Sequence, residues 1–149
     1  MATIWHPNNT ISLDKINQLN QNTVIGYLDI KITHIGDDFI QGTMPVNQKT
    51  IQPHGLLHGG ASLTLAESLA SLGAALCLDM KKYNVVGHGI NANHLRSATE
   101  GLVTGIAKPV YLGGKTQVWE IKIYKSETEF VDKTLCCVSR MTAIRLARR

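Results

Sequence analysis

Hydrophobic positions in the first third of the chain predict a short helix followed by a β-hairpin. Residues 13–19 carry apolar side chains at the spacing of one helical face, and Ser12 is a suitable N-cap. Residues 28–33 alternate between apolar and polar side chains, which is the period of a half-buried strand. A Gly-Asp-Asp turn at 36–38 leads into 39–46, which we interpret as the returning strand of the hairpin.

The segment 59–78 differs from these elements because it is long, free of proline and apolar around nearly its whole circumference. Ala, Leu, Ser and Gly fill most positions of the helix that it predicts. Helices that are apolar all round are buried inside their protein. We therefore expect a central helix whose small side chains let a sheet approach closely.

Four alternating segments follow the central helix, and no helical pattern separates them. They cover residues 85–95, 101–109, 117–125 and 135–144. The order α-β-β-α-β-β-β-β predicts an α+β fold in which one domain, residues 1–149, wraps an antiparallel sheet around one long helix. A βαβ nucleotide fold is disfavoured, because no helices separate the last four strands and the G-x-G-x-x-G phosphate motif is absent.

The composition is that of a globular protein, and the net charge favours anionic ligands. Of the 149 residues, 44% are hydrophobic and 17% are charged, which excludes a disordered chain. The formal net charge of +4 favours a phosphorylated small ligand in a general way. No segment is crowded with Lys and Arg, so we expect no nucleic-acid partner, and we interpret Arg145, Arg148 and Arg149 as a solvated tail.

Cysteine usage indicates a reducing compartment. Cys77, Cys136 and Cys137 are odd in number and have no spacing of a disulfide framework or a zinc site. The first 21 residues lack the basic start and apolar stretch of a signal peptide, and no segment has the roughly 18 apolar residues of a membrane span. We therefore expect a cytoplasmic protein without a membrane partner.

Glu67 is the only acidic residue between positions 55 and 78, and it lies in the middle of the predicted central helix. Burial of an ionised carboxylate is costly, so a carboxylate on a helix without a polar face indicates a functional pocket. The alternative is that Glu67 lies on a narrow exposed stripe or pairs with an arginine from a strand. We favour the hypothesis of a catalytic carboxylate.

The predicted central helix begins in the sequence 52–60, which reads Gln-Pro-His-Gly-Leu-Leu-His-Gly-Gly. Glycines at a helix start leave backbone N–H groups accessible, and the helix dipole adds positive potential there. With the side chains of Gln52 and His58, the N–H of Gly59 could stabilise the oxyanion that forms when a carbonyl is attacked. The same glycines would also suit a plain turn with His58 at the surface.

Histidines raise the question of a metal site. His54 and His58 have i,i+4 spacing, and His88 and His94 fall on one predicted strand. However, Pro53 indicates that His54 precedes the helix, and no acidic third ligand has a familiar spacing. We expect neither a metal nor an organic cofactor.

A glycine turn at 111–116 is a candidate phosphate site. Its two glycines and Lys115, together with Arg96 at the end of an earlier strand, could hold phosphate groups. A hairpin turn with solvated charges is an equally good interpretation of these residues.

Several motifs together resemble a known family. The run 52–62, followed by Ala66-Glu67-Ser68, is similar to the active-site helix of hot-dog thioesterases of the Arthrobacter-type 4-hydroxybenzoyl-CoA thioesterase class. Within that class, the chain most resembles 1,4-dihydroxy-2-naphthoyl-CoA hydrolases and enterobactin-pathway proofreading thioesterases. Matches at 91–97, 108–109 and 117–119 extend the resemblance across nearly the whole chain.

The resemblance implies hydrolysis of an acyl-CoA thioester, with an aromatic acyl group expected, in a dimer or dimer of dimers with active sites at subunit interfaces. It implies Glu67 as the base or nucleophile, and it implies that Gln52, His58 and the Gly59 N–H polarise the thioester carbonyl. Ser71 would help to hold the attacking water or the acyl ring. The residues implied to contact substrate and CoA are Gly87, His94, Leu95, Arg96, Ser97, Tyr111, Leu112, Gly113, Gly114, Lys115 and Thr116.

This chain departs from the family at two positions and leaves two alternatives. Family members often carry two consecutive histidines where this chain has His94-Leu95, and many have Phe in place of His54, so we expect an altered acyl pocket or entrance. A non-catalytic acyl-CoA-binding or regulatory module is disfavoured by the presence of Glu67 together with the carbonyl-polarising side chains. A hot-dog dehydratase is disfavoured because its His-centred pattern is absent.

Overall fold

Three helices and six strands make up residues 2–149, the part of the chain that this computed structural model describes. The elements are α1 (Leu13–Asn20), α2 (Val24–Tyr27), β1 (Lys31–Ile35), β2 (Ile40–Pro45), α3 (Gly59–Leu76), β3 (Tyr83–His94), β4 (Leu102–Leu112), β5 (Thr116–Tyr124) and β6 (Leu135–Ala147). The observed order therefore adds one short helix, α2, to the predicted order.

The six strands form one antiparallel sheet in the order β1-β2-β4-β5-β6-β3, and α3 lies against it. The approach is close at Leu69, whose methyl carbons lie 2.7 and 2.6 Å from the positions that Cβ atoms on Gly42 and Gly105 would occupy. A strand residue larger than glycine at either position would push the helix away. A sheet wrapped around one long helix is the hot-dog fold, and that prediction is confirmed.

The last four strands are confirmed in number and order but differ from the prediction at their ends. β4 continues through Pro109 to Leu112. Proline has no N–H group to donate to a neighbouring strand, and a register shift between Pro109 and Tyr111 lets the pairing with β5 resume after it. Tyr111 and Leu112 therefore belong to β4, and Thr116 begins β5. The predicted 111–116 turn is reduced to its three central residues.

The predicted strand at 28–33 is wrong in its starting point. β1 begins only at Lys31, after α2 and a tight connection in which Asp29 adopts a positive φ of 56°. Leu28 and Ile30 are nevertheless buried in the core. The alternation of residues 28–33 therefore predicts which side chains are buried, although the strand itself begins only at Lys31.

α3 is not buried around its whole circumference in one chain, which corrects the expectation of complete burial. Leu65 and Leu69 on its inner face are fully buried. Thr64, Glu67 and Ser71 on the opposite face are only half-buried. The outer face of α3 is therefore available to a ligand or to a second copy of the chain.

The N-terminal segment fastens the end of α3 to the sheet. Trp5 is 8% exposed and stacks on the buried Trp119, with ring centroids 6.4 Å apart and planes at 7°. The Nε1–H of Trp5 donates to the carbonyl of Gly36 at 2.7 Å. The N–H of His6 donates to the carbonyl of Leu76 at 2.8 Å, which satisfies an acceptor left over at the helix end.

Asp79 anchors the same segment just after α3. Its carboxylate accepts from the Lys81 N–H at 3.0 Å and from the Asn8 amide at 3.2 Å. The Lys81 hydrogen bond is the main cause that lowers the pKa of Asp79, while desolvation opposes it. Because the folded-state pKa lies below the unfolded value, this contribution to stability is complete above the ordinary carboxyl pKa and is lost as pH falls through the lowered one.

Replacement of Trp5 by alanine should lower the free energy of unfolding by about 3–5 kcal/mol, because it removes a buried ring, its stacking and a hydrogen bond. Chemical denaturation at a fixed chain concentration measures the change. Leu19→Ala is a suitable control, since Leu19 is 79% exposed and its truncation should cost less than about 0.5 kcal/mol. Equal losses for the two variants would contradict the anchoring role of Trp5.

Candidate active site

His58 caps the N-terminus of α3 and is held in one tautomer. Its Nδ1 accepts a hydrogen bond from the N–H of Gly60 at 2.8 Å. In the neutral imidazole the proton must then reside on Nε2. The cap therefore leaves His58 with an outward N–H donor at the positive end of the helix dipole.

Gln52 is held in a comparable way by the loop before α3. Its side-chain oxygen accepts from the N–H of His54, which leaves the amide NH₂ as a free donor. The loop is closed by hydrogen bonds from the Gln52 N–H to the Leu56 carbonyl and from the Gly55 N–H to the Gln52 carbonyl. Gly55 has a φ of 80°, a conformation that favours glycine.

A cavity of about 240 Å³, here called the donor pocket, opens beside this loop. Its lining includes five of the predicted site residues, namely Gln52, His94, Leu95, Arg96 and Ser97. The His94 ring lies against the first residue of α3, with Nε2 only 2.8 Å from the place that a Cβ on Gly59 would take. The Arg96 guanidinium is fixed by a 2.8 Å hydrogen bond to the carbonyl of Leu135. Of the predicted carbonyl-polarising groups, Gln52 thus lines the donor pocket, whereas His58 and Gly59 are not among the described residues that line it.

Glu67 lies in a different cavity on the outer face of α3. This cavity, here called the acyl groove, has a volume of about 620 Å³ and runs between α3 and the α1–α2 pair. No hydrogen bond or ion pair within residues 2–149 involves the Glu67 carboxylate. Its Oε1 occupies the space that a Cβ on Gly87 of β3 would need, so the carboxylate has room there because residue 87 is glycine.

Ser71 also lines the acyl groove, one turn after Glu67. Its hydroxyl lies 3.8 Å from the sulfur of Met141, a weak acceptor. The structure therefore places Ser71 and Gly87 beside Glu67.

One chain does not bring all predicted site residues together. Gly59 and Glu67 are eight residues apart on α3, about 12 Å along the helix axis. Thr116 pairs with Ile144, which is level with Val86 on β3, whereas Arg96 follows the other end of that strand. The 113–115 turn and Arg96 thus lie at opposite ends of the sheet, separated by roughly eight residues of strand, or about 26 Å.

Other kinds of chemistry find little support. Burial raises the pKa of Cys77 to about 12 and the pKa values of Cys136 and Cys137 to about 11, so these thiols stay protonated and unreactive at neutral pH. Among residues 2–149, no three His, Cys, Asp or Glu side chains are grouped so that they could hold a metal ion. No helix in the described range combines the length and apolar character needed to cross a membrane.

Comparison with known proteins decides the family. Residues 54–131 match the family model described as the thioesterase superfamily. The chain belongs to the thioesterase superfamily. The prediction of a hot-dog thioesterase is therefore confirmed.

This thioesterase is similar to curated relatives over nearly its whole length. It is 48% identical over 132 residues to the 1,4-dihydroxy-2-naphthoyl-CoA hydrolase of Escherichia coli (strain K12), a match that covers 89% of this chain and 93% of the relative. It is 40% identical over 139 residues to the proofreading thioesterase EntH of Cronobacter turicensis, with 93% and 96% covered. The solved structure of a Haemophilus influenzae thioesterase superimposes with a TM-score of 0.88 at 44% identity, covering 97% of this chain and 96% of that one.

Sequence reasoning missed the α1–α2 wall of the acyl groove. Ile16, Asn20, Val24 and Ile25 line it, yet α2 has only four residues and no resolvable helical period. The one available signal was Thr23, whose hydroxyl caps α2 by accepting from the Ile25 N–H.

The six-residue spacing of His88 and His94 would put them on one face only of a regular strand, and β3 is irregular at His88. A register shift between Gly87 and Gly89 makes His88 the extra residue of a bulge in β3. A bulge breaks the two-residue alternation, so sequence spacing no longer tells which face a side chain occupies.

Substitution of Gly87 by alanine should displace the Glu67 carboxylate without unfolding the thioesterase. The new methyl group claims the place of Oε1, and a misplacement of about 1 Å can cost roughly 10²-fold in thioester hydrolysis. Gly89→Ala is the matched control on the same strand, because no atom of the chain lies within 4 Å of a Cβ there. Steady-state kinetics and size measurement of both variants test the prediction, and equal activity in the two would contradict a positioned carboxylate at Gly87.

Proposed function

We propose that this thioesterase hydrolyses acyl-CoA thioesters at sites shared between two copies of the chain, with Glu67 as base or nucleophile. The observation that carries the proposal is the carboxylate itself. Glu67 lies in a groove, free of any partner in residues 2–149, while oriented N–H donors cluster at the start of the same helix. An acyl transfer needs these two parts, a base or nucleophile and an oxyanion site.

The donors would act on the thioester carbonyl. The Nε2–H of His58, the amide of Gln52 and the N–H of Gly59 are each left without a partner inside the chain by the local hydrogen bonds of the loop and cap. They would stabilise the negative charge that develops on the carbonyl oxygen, and the helix dipole adds to this effect. Glu67 would either attack the carbonyl carbon or remove a proton from the attacking water.

Pairing of two copies through β3 would join the separated parts. β3 is twelve residues long and hydrogen-bonds only to β6, so its other edge presents unpaired backbone groups. Antiparallel pairing of two β3 strands about a two-fold axis would extend the sheet and set the two α3 helices antiparallel. Glu67 of one chain would then lie beside the partner's Gly59, which overcomes the separation of about 12 Å within one chain.

The same pairing would complete a phosphate site for CoA. It would place the 113–115 turn of one chain near the partner's Arg96. Four cationic residues lie along this end of the sheet: the Arg145 N–H donates to the Lys115 carbonyl beside the turn, and the Arg148 N–H donates to the Lys82 carbonyl further along β6. Such a cluster suits the nucleotide phosphates of CoA.

The acyl group would lie in the acyl groove. Apolar side chains of three helices line most of it, among them Ile16, Val24, Ile25, Leu63 and Leu72. The relative from Escherichia coli carries a naphthoyl-CoA substrate in its name, and this supports an aromatic acyl group for the present chain. Leu95, where family members often have a second histidine, lines the donor pocket instead, and His54 is exposed and lines neither cavity.

The variant Glu67→Gln should lose at least about 10²-fold to 10⁴-fold in the rate of thiol release, because glutamine keeps the volume but can neither accept the proton nor attack the carbonyl. A panel of aromatic and aliphatic acyl-CoA substrates measures activity and preference together. Glu100→Gln, at an exposed position, is the matched control and should keep full activity. A folded Glu67→Gln protein as active as this control would remove Glu67 from the mechanism and leave a binding module as the alternative.

Mixed dimers should recover activity if the site is shared. Glu67→Ala and His58→Asn chains are each expected to be nearly inactive, and asparagine retains a helix-capping side chain at position 58. A mixed dimer holds one intact site and one doubly damaged site. Random pairing makes half of the dimers mixed, so about a quarter of wild-type activity should return. Verified mixed dimers that stay at the parental level would show that Glu67 and His58 act within one chain.

A further inference from the structure

Asn20 differs from the hydroxyl side chains that line the acyl groove, because each of those has a partner inside the chain. The hydroxyl of Thr64 donates to the Gly60 carbonyl at 2.9 Å, and that of Ser68 donates to the Thr64 carbonyl at 2.6 Å. The Ser71 hydroxyl is directed at the Met141 sulfur. The side-chain amide of Asn20, by contrast, makes no hydrogen bond within residues 2–149.

The position of Asn20 is half-buried and lies in a wall between two cavities. Asn20 is among the residues that line the acyl groove and also among those that line a second cavity of about 250 Å³. The groove around it is mostly apolar. A ligand that fills the groove would therefore remove this amide from water, and an amide left unpaired there costs about 1–3 kcal/mol.

Local hydrogen bonds and close packing fix the backbone around Asn20. The Asn20 carbonyl accepts from the hydroxyl of Thr23 at 2.7 Å and from its N–H at 3.2 Å. α2 packs so tightly on this junction that a Cβ on Gly26 would overlap the carbonyl oxygens of residues 20 and 21. Asn17 fastens the same helix to β1, since its amide both donates to and accepts from the Ile32 backbone at 2.9 Å.

We propose that Asn20 determines specificity by hydrogen-bonding a hydroxyl substituent on the acyl ring of the substrate. This inference rests on the proposed function, because it takes the acyl groove as the place of the acyl group. An amide both donates and accepts, and so does a ring hydroxyl, whereas an unsubstituted ring would leave the amide unpaired. Sites that hydrogen-bond a substrate hydroxyl discriminate against the analogue that lacks it far better than apolar pockets do.

The test compares benzoyl-CoA with the three monohydroxybenzoyl-CoA isomers. Wild type should hydrolyse at least one isomer with a kcat/KM more than about tenfold above that of benzoyl-CoA. Asn20→Leu should bring the four kcat/KM values within about threefold of one another, because it removes both the hydrogen bond to the ring hydroxyl and the amide that benzoyl-CoA leaves unpaired. Gln18→Leu is the matched control, because Gln18 is exposed on the same helix and lines neither cavity, and it should keep the preference. Asn20→Ala, which adds no bulk, replaces the leucine variant if that one does not fold.

Each result separates the two proposals. If wild type releases thiol from none of these or other acyl-CoA substrates, the proposed function fails and the role of Asn20 fails with it. If wild type is active but the preference survives in both Asn20 variants, or if hydrolysis of all four substrates falls equally, the role of Asn20 is overturned while the proposed function stands. A changed oligomeric size in the Asn20 variants would instead mark Asn20 as an interface residue and would also overturn the inference.

Discussion

Close packing of α3 on the sheet is the constraint on which the candidate site depends. Leu69 can approach β2 and β4 only because Gly42 and Gly105 leave room for its methyl groups. The N-terminal segment holds the other end of the helix through Trp5 and the hydrogen bond from His6. Because the helix axis is fixed in this way, the start of α3 contacts His94 and its middle contacts Gly87. The same packing therefore positions both halves of the candidate site, the donors at the helix start and the Glu67 carboxylate.

The separation of those halves along α3 is the reason why we propose that two copies of the chain pair. Local hydrogen bonds orient His58 and Gln52 at the start of α3, but the helix places Glu67 about two turns away in the acyl groove. The exposed edge of β3 offers the pairing surface nearest to both. Thioester hydrolysis in the proposed mechanism needs both the donors and the carboxylate, and the proposed pairing would bring the donors of one chain to the carboxylate of the other.

Much of the fold could be predicted from periodicity, and the reasons for the failures are physical. The central helix, its N-terminus and the last four strands follow from patterns that burial enforces over many residues. The bulge at His88 and the extension of β4 beyond Pro109 depend on cross-strand register, which neighbouring residues in sequence do not encode. α2 escaped because four residues are too few to show a period.

The residues of the candidate site also divide into those that the sequence predicts and those that it does not. Glu67, His58 and Gln52 could be found because a lone carboxylate and a donor-rich helix start stand out chemically in the sequence. Asn20 could not, because an asparagine near a helix end is common and only its lack of an internal partner sets it apart. Gly87 leaves room for the Glu67 carboxylate, and it also belongs to β3, the strand that the proposed pairing would cover. In the proposed pairing, a single chain would therefore hold its carboxylate without an oxyanion site and would be inactive until it pairs.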